Sequence, residues 1–129
     1  MQSFIYTYVC ITEVVKKEMT VFILNSLITP VNFDEISMAR IRLERIDVER
    51  ARNVLSSGNF VSAVGHEGTA KVLSQILGIN IPANRINIFM KPGDVAIHFF
   101  LKQRLPEGKI LSEDEIKKLD FWLVKSEVL

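Results

Sequence analysis

One stretch near the middle of the chain constrains the fold more than any other. It reads V-S-A-V-G-H-E-G-T over residues 61–69 and continues into an amphipathic segment that stops at Gly78. The first part is apolar and β-branched, as a strand is, and the second repeats its apolar residues with the period of a helix. The pattern predicts a strand, a glycine-flanked turn and a helix ending near Leu77, with Gly78 as a left-handed C-terminal cap.

The predicted turn is a candidate anion site. The first amides of a helix have no partners within the helix and favour anions, phosphate above all. Gly65 and Gly68 would let a ligand approach the backbone closely. His66, between them, has an imidazole that can give or take a proton near neutral pH. A lone histidine in a turn is more often a surface or capping group than a catalyst, so this motif needs support from elsewhere in the chain.

Composition limits the classes of function. The 129 residues, 48% of them apolar and 24% charged, predict one globular domain with a real core. The net charge of +1 argues against binding long nucleic acid, so any anionic partner should be small and held locally. Cys10 is the only cysteine, which favours a reducing compartment, and we expect a cytoplasmic protein. No Cys/His cluster has metal-ligand spacing, so neither a metal nor another cofactor is predicted.

Residues 1–18 are predicted to be an N-terminal extension of unknown role, ahead of a domain at 19–129. Residues 4–12 are aromatic and β-branched, as a strand would be. They are too short to cross a bilayer and lack the basic start and cleavage site of a signal peptide, so no membrane association is expected. An extra ordered strand and a loosely attached segment remain equal alternatives for the extension.

The remaining patterns predict an α+β fold, with a mixed sheet of about five strands flanked by helices in a single compact domain. Helices are expected near residues 47–55, 68–77 and 113–119, the first capped by Asp47 and the last opened by an S-x-x-E capping box at Ser112. Patterns typical of strands lie at 20–24, 37–43, 61–64, 86–90 and 95–101, with 121–124 as a candidate last strand.

A turn signal, K-P-G-D, separates two of these patterns at residues 91–94. Residues 86–90 and 95–101 are therefore predicted to form a hairpin. His98 lies on its second arm among phenylalanines, and we interpret it as a packed, hydrogen-bonded side chain rather than a ligand. Arg40 and Arg42 are interpreted as part of a solvated strand face.

Polar residues after the strand at 20–24 are candidates for ligand contact. Asn25 and Ser26 come directly after that strand. The alternative is a turn held by side-chain hydrogen bonds.

A second polar segment, Q-R-L-P-E-G-K, follows the strand at 95–101. Arg104 offers a fixed fork of donors that matches phosphate oxygens. The loop also presents Glu107 and Lys109. By itself this segment is better interpreted as a polar surface loop with an internal Arg–Glu pair.

Taken together, these motifs resemble one protein family. The string A-V-G-H-E-G-T at 63–69, N-R at 84–85, Q-R-L-P-E-G-K at 103–109 and Asn25 are similar to the motifs of the ring nucleases of archaeal viruses, phages and some cells. These enzymes degrade cyclic tetra-adenylate, the messenger of type III CRISPR defence, and the viral ones act as anti-CRISPR proteins. The resemblance covers roughly residues 19–115, and its specificity comes from the joint occurrence of the motifs in this order.

The resemblance implies a compact α+β homodimer that binds the cyclic RNA across the subunit interface without a cofactor. It assigns the catalytic histidine to His66, the catalytic arginine to Arg104 and the supporting glutamate to Glu107, with Arg85 binding phosphate. The other substrate-binding residues predicted are Asn25, Ser26, Gly65, Gly68, Thr69, Asn84, Gln103 and Lys109.

The sequence departs from the family pattern in two places. The family has Ser-Thr where this chain has Gly68-Thr69, and the serine that some viral members carry soon after the first strand has no match near Ile28. Both departures concern contacts with the ring rather than the reaction.

The residues favour the same chemistry by themselves. RNA cleavage without a metal uses the substrate's own 2′-hydroxyl, so the protein supplies a proton for the leaving oxygen and charge stabilisation. His66 suits the first task, and Arg104 with the helix-start amides suits the second. Two other classes remain open. One is a binding module that sequesters a cyclic nucleotide or an RNA end without cleaving it, and the other is a structural or partner-binding protein.

Overall fold

The computed structural model describes residues 20–104 and 111–129. In chain order the elements are β1 (Val21–Leu24), β2 (Ile41–Ile46), α1 (Val48–Ser56), β3 (Phe60–Ser62), α2 (Glu67–Leu77), β4 (Val95–Leu101), α3 (Glu113–Lys117) and β5 (Phe121–Val128). The predicted α+β class, with a mixed sheet of five strands and three helices, is confirmed. The predicted extension at residues 1–18 and the two site residues Glu107 and Lys109 lie outside the described residues.

The strands form one sheet in the order β2-β5-β4-β1-β3. Strand β1 is parallel to both neighbours, with Ile23 opposite Ser62 of β3 and Leu24 opposite His98 of β4. Strand β5 is antiparallel to β4 and to β2. The three parallel strands β3, β1 and β4 therefore end at the same side of the sheet, which we call the carboxyl edge.

Each face of the sheet has its own apolar cluster. The larger cluster joins one face to helices α1 and α2, whose apolar stripes supply its helical members. It includes Ile23, Ile46, Ile97, Phe99 and Leu123 from the strands and Ala51, Leu55, Ala70, Leu73 and Leu77 from the helices. The smaller cluster, on the other face, includes Phe22, Leu24, Ala63, Met90, Ala96 and Val128. One face is thus covered by helices and the other by extended chain.

The caps predicted from sequence are present. The Asp47 carboxylate accepts a hydrogen bond from the Arg50 amide at 2.8 Å, and Ser112 and Glu115 form a complete capping box. Gly78 has φ 70° and ends α2 in the left-handed conformation. No helix within residues 20–104 and 111–129 combines the length and apolar character needed to cross a membrane.

The predicted hairpin is wrong. Residues 86–90 lie outside the strands of the sheet and make one isolated bridge, between Met90 and Val31, while β4 pairs with β1 and β5. The alternation at 86–90 has another cause, because Ile88 and Met90 pack onto the smaller cluster while Phe89 points outward, 63% exposed. An extended segment lying across a sheet face has the same period of two as a strand within the sheet.

Two predicted strand boundaries also shift. The strand predicted at 37–43 begins at Ile41 and runs to Ile46, whose side chain is buried on the helical face. The candidate strand at 121–124 is real and longer, since β5 continues to Val128. In both cases pairing between β2 and β5 sets the boundary, with Ile41 opposite Val128.

Candidate functional site

The carboxyl edge collects three of the segments predicted to bind a ligand. Asn25 and Ser26 follow β1, the turn that carries His66 follows β3, and Arg104 follows β4. Because β1 lies between the other two strands, Asn25 and Ser26 lie between the turn and the end of β4. Neighbouring strands are about 4.8 Å apart, so the ends of β3 and β4 are separated by about 10 Å.

His66 is the N-cap residue of α2 and has an exposed side chain. Its backbone is extended, with φ −108° and ψ 120°, and its carbonyl accepts the first helical hydrogen bond, from the Ala70 amide at 2.9 Å. The imidazole makes no capping hydrogen bond. It is therefore available to a ligand, beside amides at the helix start that have no partner within the helix.

The turn before His66 is held by a segment that follows α2. The backbone amide of Asn84 donates to the Val64 carbonyl at 2.8 Å. The side-chain amide of Asn84 donates to the Ser62 carbonyl, also at 2.8 Å. The Ser62 hydroxyl donates in return to the Pro82 carbonyl at 2.6 Å. These bonds fix the backbone that leads into the turn. The contact between Asn84 and substrate stays a prediction.

Arg85 follows Asn84 and lies against the turn. A Cβ atom placed on Gly65 would be 3.7 Å from both Cγ and Nε of Arg85. The exposed Arg85 side chain thus runs beside the backbone that precedes His66. The structure brings together two residues that are 19 positions apart in the sequence and that were both predicted to act on a phosphate.

The two glycines around His66 are not required by backbone conformation. Among the described glycines, positive φ occurs at Gly78 and Gly93 rather than at Gly65 or Gly68. A Cβ atom on Gly68 would meet no atom within 4 Å. The space beside Gly68 is open, as the predicted approach of a ligand to the backbone requires, and the neighbouring Thr69 is half-buried.

The end of β4 is tied to the residue that precedes β5. The Lys102 amide donates to the Asp120 carbonyl at 2.9 Å, and the Gln103 side-chain oxygen accepts from the Asp120 amide at 3.3 Å. Arg104 comes next and is exposed. These two hydrogen bonds fix the backbone just before Arg104. Glu107 and Lys109, the other predicted residues of this loop, lie outside the described residues, so the Arg–Glu pair is untested.

Ser26, beside exposed Asn25, is held by the second histidine. The Ser26 carbonyl lies 2.7 Å from Nδ1 of His98, and Nε2 of His98 lies 2.7 Å from the Ser126 hydroxyl. His98 is fully buried, which confirms the prediction of a packed, satisfied histidine. The parts played by Ser62 and Ser126 were missed. The available signal was a serine among apolar residues on one face of a strand, which needs a buried hydrogen-bond partner.

Within the described chain, no group of three or more His, Cys, Asp or Glu side chains is placed to hold a metal ion together. The groups that do converge are an imidazole, a guanidinium and helix-start amides, at an edge that also carries Arg104 and Asn25. This set of donors suits a phosphate ester.

Comparison with known proteins identifies the family. Residues 21–123 match the family model described as STIV B116-like. Uncharacterized protein ORF117 of Acidianus two-tailed virus is 38% identical over 81% of this chain and 91% of its own length. Uncharacterized protein 26 of Sulfolobus islandicus filamentous virus is also 38% identical, over 79% of this chain and 87% of its own.

The fold has a counterpart among solved structures. B116 of Sulfolobus turreted icosahedral virus superposes with a TM-score of 0.69 and 28% identity, covering 84% of this chain and 98% of that protein. A relative also occurs in a bacterium, YddF of Bacillus subtilis, which is 32% identical over 60% of this chain. The chain belongs to the STIV B116-like family, which includes proteins of archaeal viruses.

Proposed function

We propose that this protein is a metal-independent ring nuclease that cleaves cyclic tetra-adenylate and so switches off type III CRISPR signalling. The observation that carries the proposal is the exposed, uncapped His66 at the start of α2, with the Arg85 side chain lying along the same turn. Relatives from archaeal viruses support a viral setting, in which the protein would act as an anti-CRISPR in the host cytoplasm.

The proposed reaction uses the substrate's own hydroxyl as nucleophile, side chains of the site and solvent water. A ribose 2′-hydroxyl attacks the adjacent phosphorus, the bond from phosphorus to the 5′ oxygen breaks, and a 2′,3′-cyclic phosphate forms. His66 donates a proton to the leaving 5′ oxygen, while the 2′-hydroxyl proton passes to solvent. General acid catalysis of this kind contributes about a hundred- to ten-thousand-fold in rate.

Charge stabilisation is the second requirement. Negative charge on the phosphorane would be met by Arg85, by the amides that open α2 and by Arg104 from the end of β4. Losing one preorganised donor of this kind costs about a hundred- to a thousandfold in rate. Glu107 is assigned the role of orienting Arg104 or His66. Asn25, Ser26, Thr69, Gln103 and Lys109 are assigned to ring contacts.

The substrate is proposed to be small because the net charge is low and two arginines within the described residues are paired with carboxylates. The net charge of the protein is +1. Arg42 on β2 is paired with Glu127 at 3.7 Å, and Arg50 on α1 is paired with Glu44 at 2.9 Å. A polymer would need several unpaired cations along its path. A four-nucleotide ring needs only a local cluster of the kind found at the carboxyl edge.

A homodimer is part of the proposal, since a ring with two-fold symmetry is most simply enclosed by two equivalent subunits. Three large apolar side chains in the segments before β2 and before β4 are exposed, Phe33 68%, Met38 81% and Phe89 63%. We propose that they contribute to the subunit interface, because association would remove them from water. Light scattering at micromolar concentration should give a dimer, and a fully active monomer would contradict this part of the proposal.

Product analysis tests the function directly. The protein is incubated with cyclic tetra-adenylate, with and without EDTA, and the products are separated and identified by mass. We expect linear products with 2′,3′-cyclic phosphate ends and the same rate with chelator present. Tight binding without turnover would favour the sequestering module instead, and no affinity for the ring would favour a structural or partner-binding protein.

A further inference from the structure

A buried polar chain crosses three strands directly beneath the carboxyl edge. It consists of Ser26 just beyond β1, His98 on β4 and Ser126 on β5, joined by two contacts of 2.7 Å. His98 and Ser126 are both fully buried, whereas Ser26 is half-buried. The proposed reaction uses neither His98 nor Ser126, so the placement of this chain requires its own explanation.

The hydrogen bonds define the protonation state of the imidazole. The Ser26 carbonyl can only accept, so Nδ1 of His98 carries the proton and donates. Nε2 then presents a lone pair and accepts from the Ser126 hydroxyl. Burial lowers the pKa of His98 and so favours the neutral ring. The hydrogen bond to Ser26 raises the pKa, but this effect is smaller.

The contact with Ser26 lies where the sheet stops supporting β1. The ladder between β1 and β4 ends at the pair Leu24–His98, two residues before Ser26. Beyond that pair, the side chain of His98 forms a hydrogen bond with the Ser26 carbonyl. The segment it holds includes Asn25, which lies between the turn of His66 and the end of β4.

We propose that His98 is a positioning residue of the site: its Nδ1–H group fixes the Ser26 carbonyl and thereby orients Asn25 and Ser26 toward the ligand. Ser126 orients the imidazole from the other side. The expected effect of His98 on catalysis rests on the proposed function. The hydrogen bonds of His98 do not, since they exist in the ligand-free protein. An apolar side chain would fill the same volume without a buried polar group to satisfy.

Two amide substitutions separate positioning from packing. In His98→Asn the side-chain amide nitrogen can occupy the place of Nδ1 and keep the bond to Ser26, whereas in His98→Gln the amide reaches the place of Nε2 and keeps the bond to Ser126. Each variant leaves one partner without its hydrogen bond. Because Ser126 is fully buried and Ser26 is half-buried, His98→Asn should lose at least as much stability in urea unfolding as His98→Gln. We expect kcat/KM on cyclic tetra-adenylate within about threefold of the parent for His98→Asn and at least about tenfold lower for His98→Gln. Equal losses in the two variants, in step with stability, would overturn the proposal.

A second measurement keeps the inference testable if the parent protein does not cleave the ring. Nitrogen-15 spectra of the ligand-free protein should give a protonated Nδ1 and an unprotonated Nε2 for His98. The backbone amide signals of Asn25, Ser26 and Leu27 should shift in His98→Gln and stay near their parent positions in His98→Asn. A protonated Nε2, or the same shifts in both variants, would contradict positioning. Failure of the parent to cleave, with these spectra as expected, would overturn the proposed function and leave the positioning intact.

Discussion

The two histidines of this protein lie in regions that differ in almost every physical respect. His66 is exposed at the start of a helix and makes no capping hydrogen bond. His98 is fully buried on a central strand, and both of its ring nitrogens are within 2.7 Å of a partner. The first region leaves an imidazole available for proton transfer, and the second uses an imidazole as a fixed connector. The residue type alone therefore does not predict the role.

Both regions nevertheless serve the same edge of the sheet. The segment anchored by His98 follows β1, and the turn that carries His66 follows the neighbouring β3. A buried, hydrogen-bonded region thus lies behind an exposed region where chemistry is proposed. This separation leads to the expectation that substitutions in the exposed region change rate with little effect on stability, whereas those in the buried region change both.

The largest expected effect is on His66. In His66→Ala the single-turnover rate on cyclic tetra-adenylate should fall by about a hundredfold or more, because the general acid is lost. Affinity for the ring should stay within about tenfold, or 1.4 kcal/mol, since arginines and amides hold the phosphates. Rapid-quench kinetics and calorimetry measure the two quantities. A variant that cleaves at the parent rate would show that His66 takes no part in the reaction.

Arg104 should behave differently, because one guanidinium would hold the phosphate before and during the reaction. Arg104→Ala should lose about tenfold in affinity and a further tenfold or more in rate. Arg40→Ala is the matched control, since Arg40 is an exposed arginine just before β2, at the opposite end of the sheet from the carboxyl edge, and should change neither quantity. Equal effects of the two substitutions would mean that Arg104 acts only through net charge.

The local parts of the fold followed from sequence. The strand–turn–helix around His66 and the caps at Asp47, Gly78 and Ser112 depend on neighbouring residues, and all were predicted. The hairpin was not correct, because alternation indicates only that one side of an extended segment is buried. It does not indicate whether the segment pairs in the sheet or lies across it.

The same distinction applies to the site. The motifs at His66 and Arg85 were evident from sequence, but the position of Arg85 against Gly65 depends on how the chain after α2 returns to the turn. That return is fixed by Ser62 and Asn84, which are 22 residues apart. A serine among apolar residues on one strand face indicates that a hydrogen-bond partner is needed without indicating which one. For that reason Ser62 and Ser126 were not recognised from sequence.

The pH dependence of the free energy of unfolding should show the contribution of the buried histidine. Burial lowers the pKa of His98 in the folded state below its ordinary value of 6.5, so the unfolded chain binds more protons between those two pKa values. The stability from this group is complete above pH 6.5 and is lost as pH falls toward the folded pKa, by up to about 1.4 kcal/mol per pH unit. Urea unfolding should show this extra acid slope in the parent and not in His98→Asn. Parallel curves would contradict a lowered pKa.

The smallest expected effect is on Gly68, and it tests how closely a ligand approaches the backbone at the start of α2. Gly68 lies in the first turn of α2, has no positive φ, and a Cβ atom there would meet nothing within 4 Å. Gly68→Ala should therefore raise the free energy of unfolding by up to about 1 kcal/mol, because alanine loses less backbone entropy in a helix. The ring nucleases that the motifs resemble carry a serine at this position, so a Cβ atom is compatible with phosphate binding at the helix amides, and affinity for the ring should change by less than about threefold. Gly58→Ala is the control, since Gly58 also has open space around it and lies just after α1. A loss of affinity of about tenfold or more would contradict this expectation, and would show that the phosphate lies closer to the backbone of α2 than a Cβ atom allows.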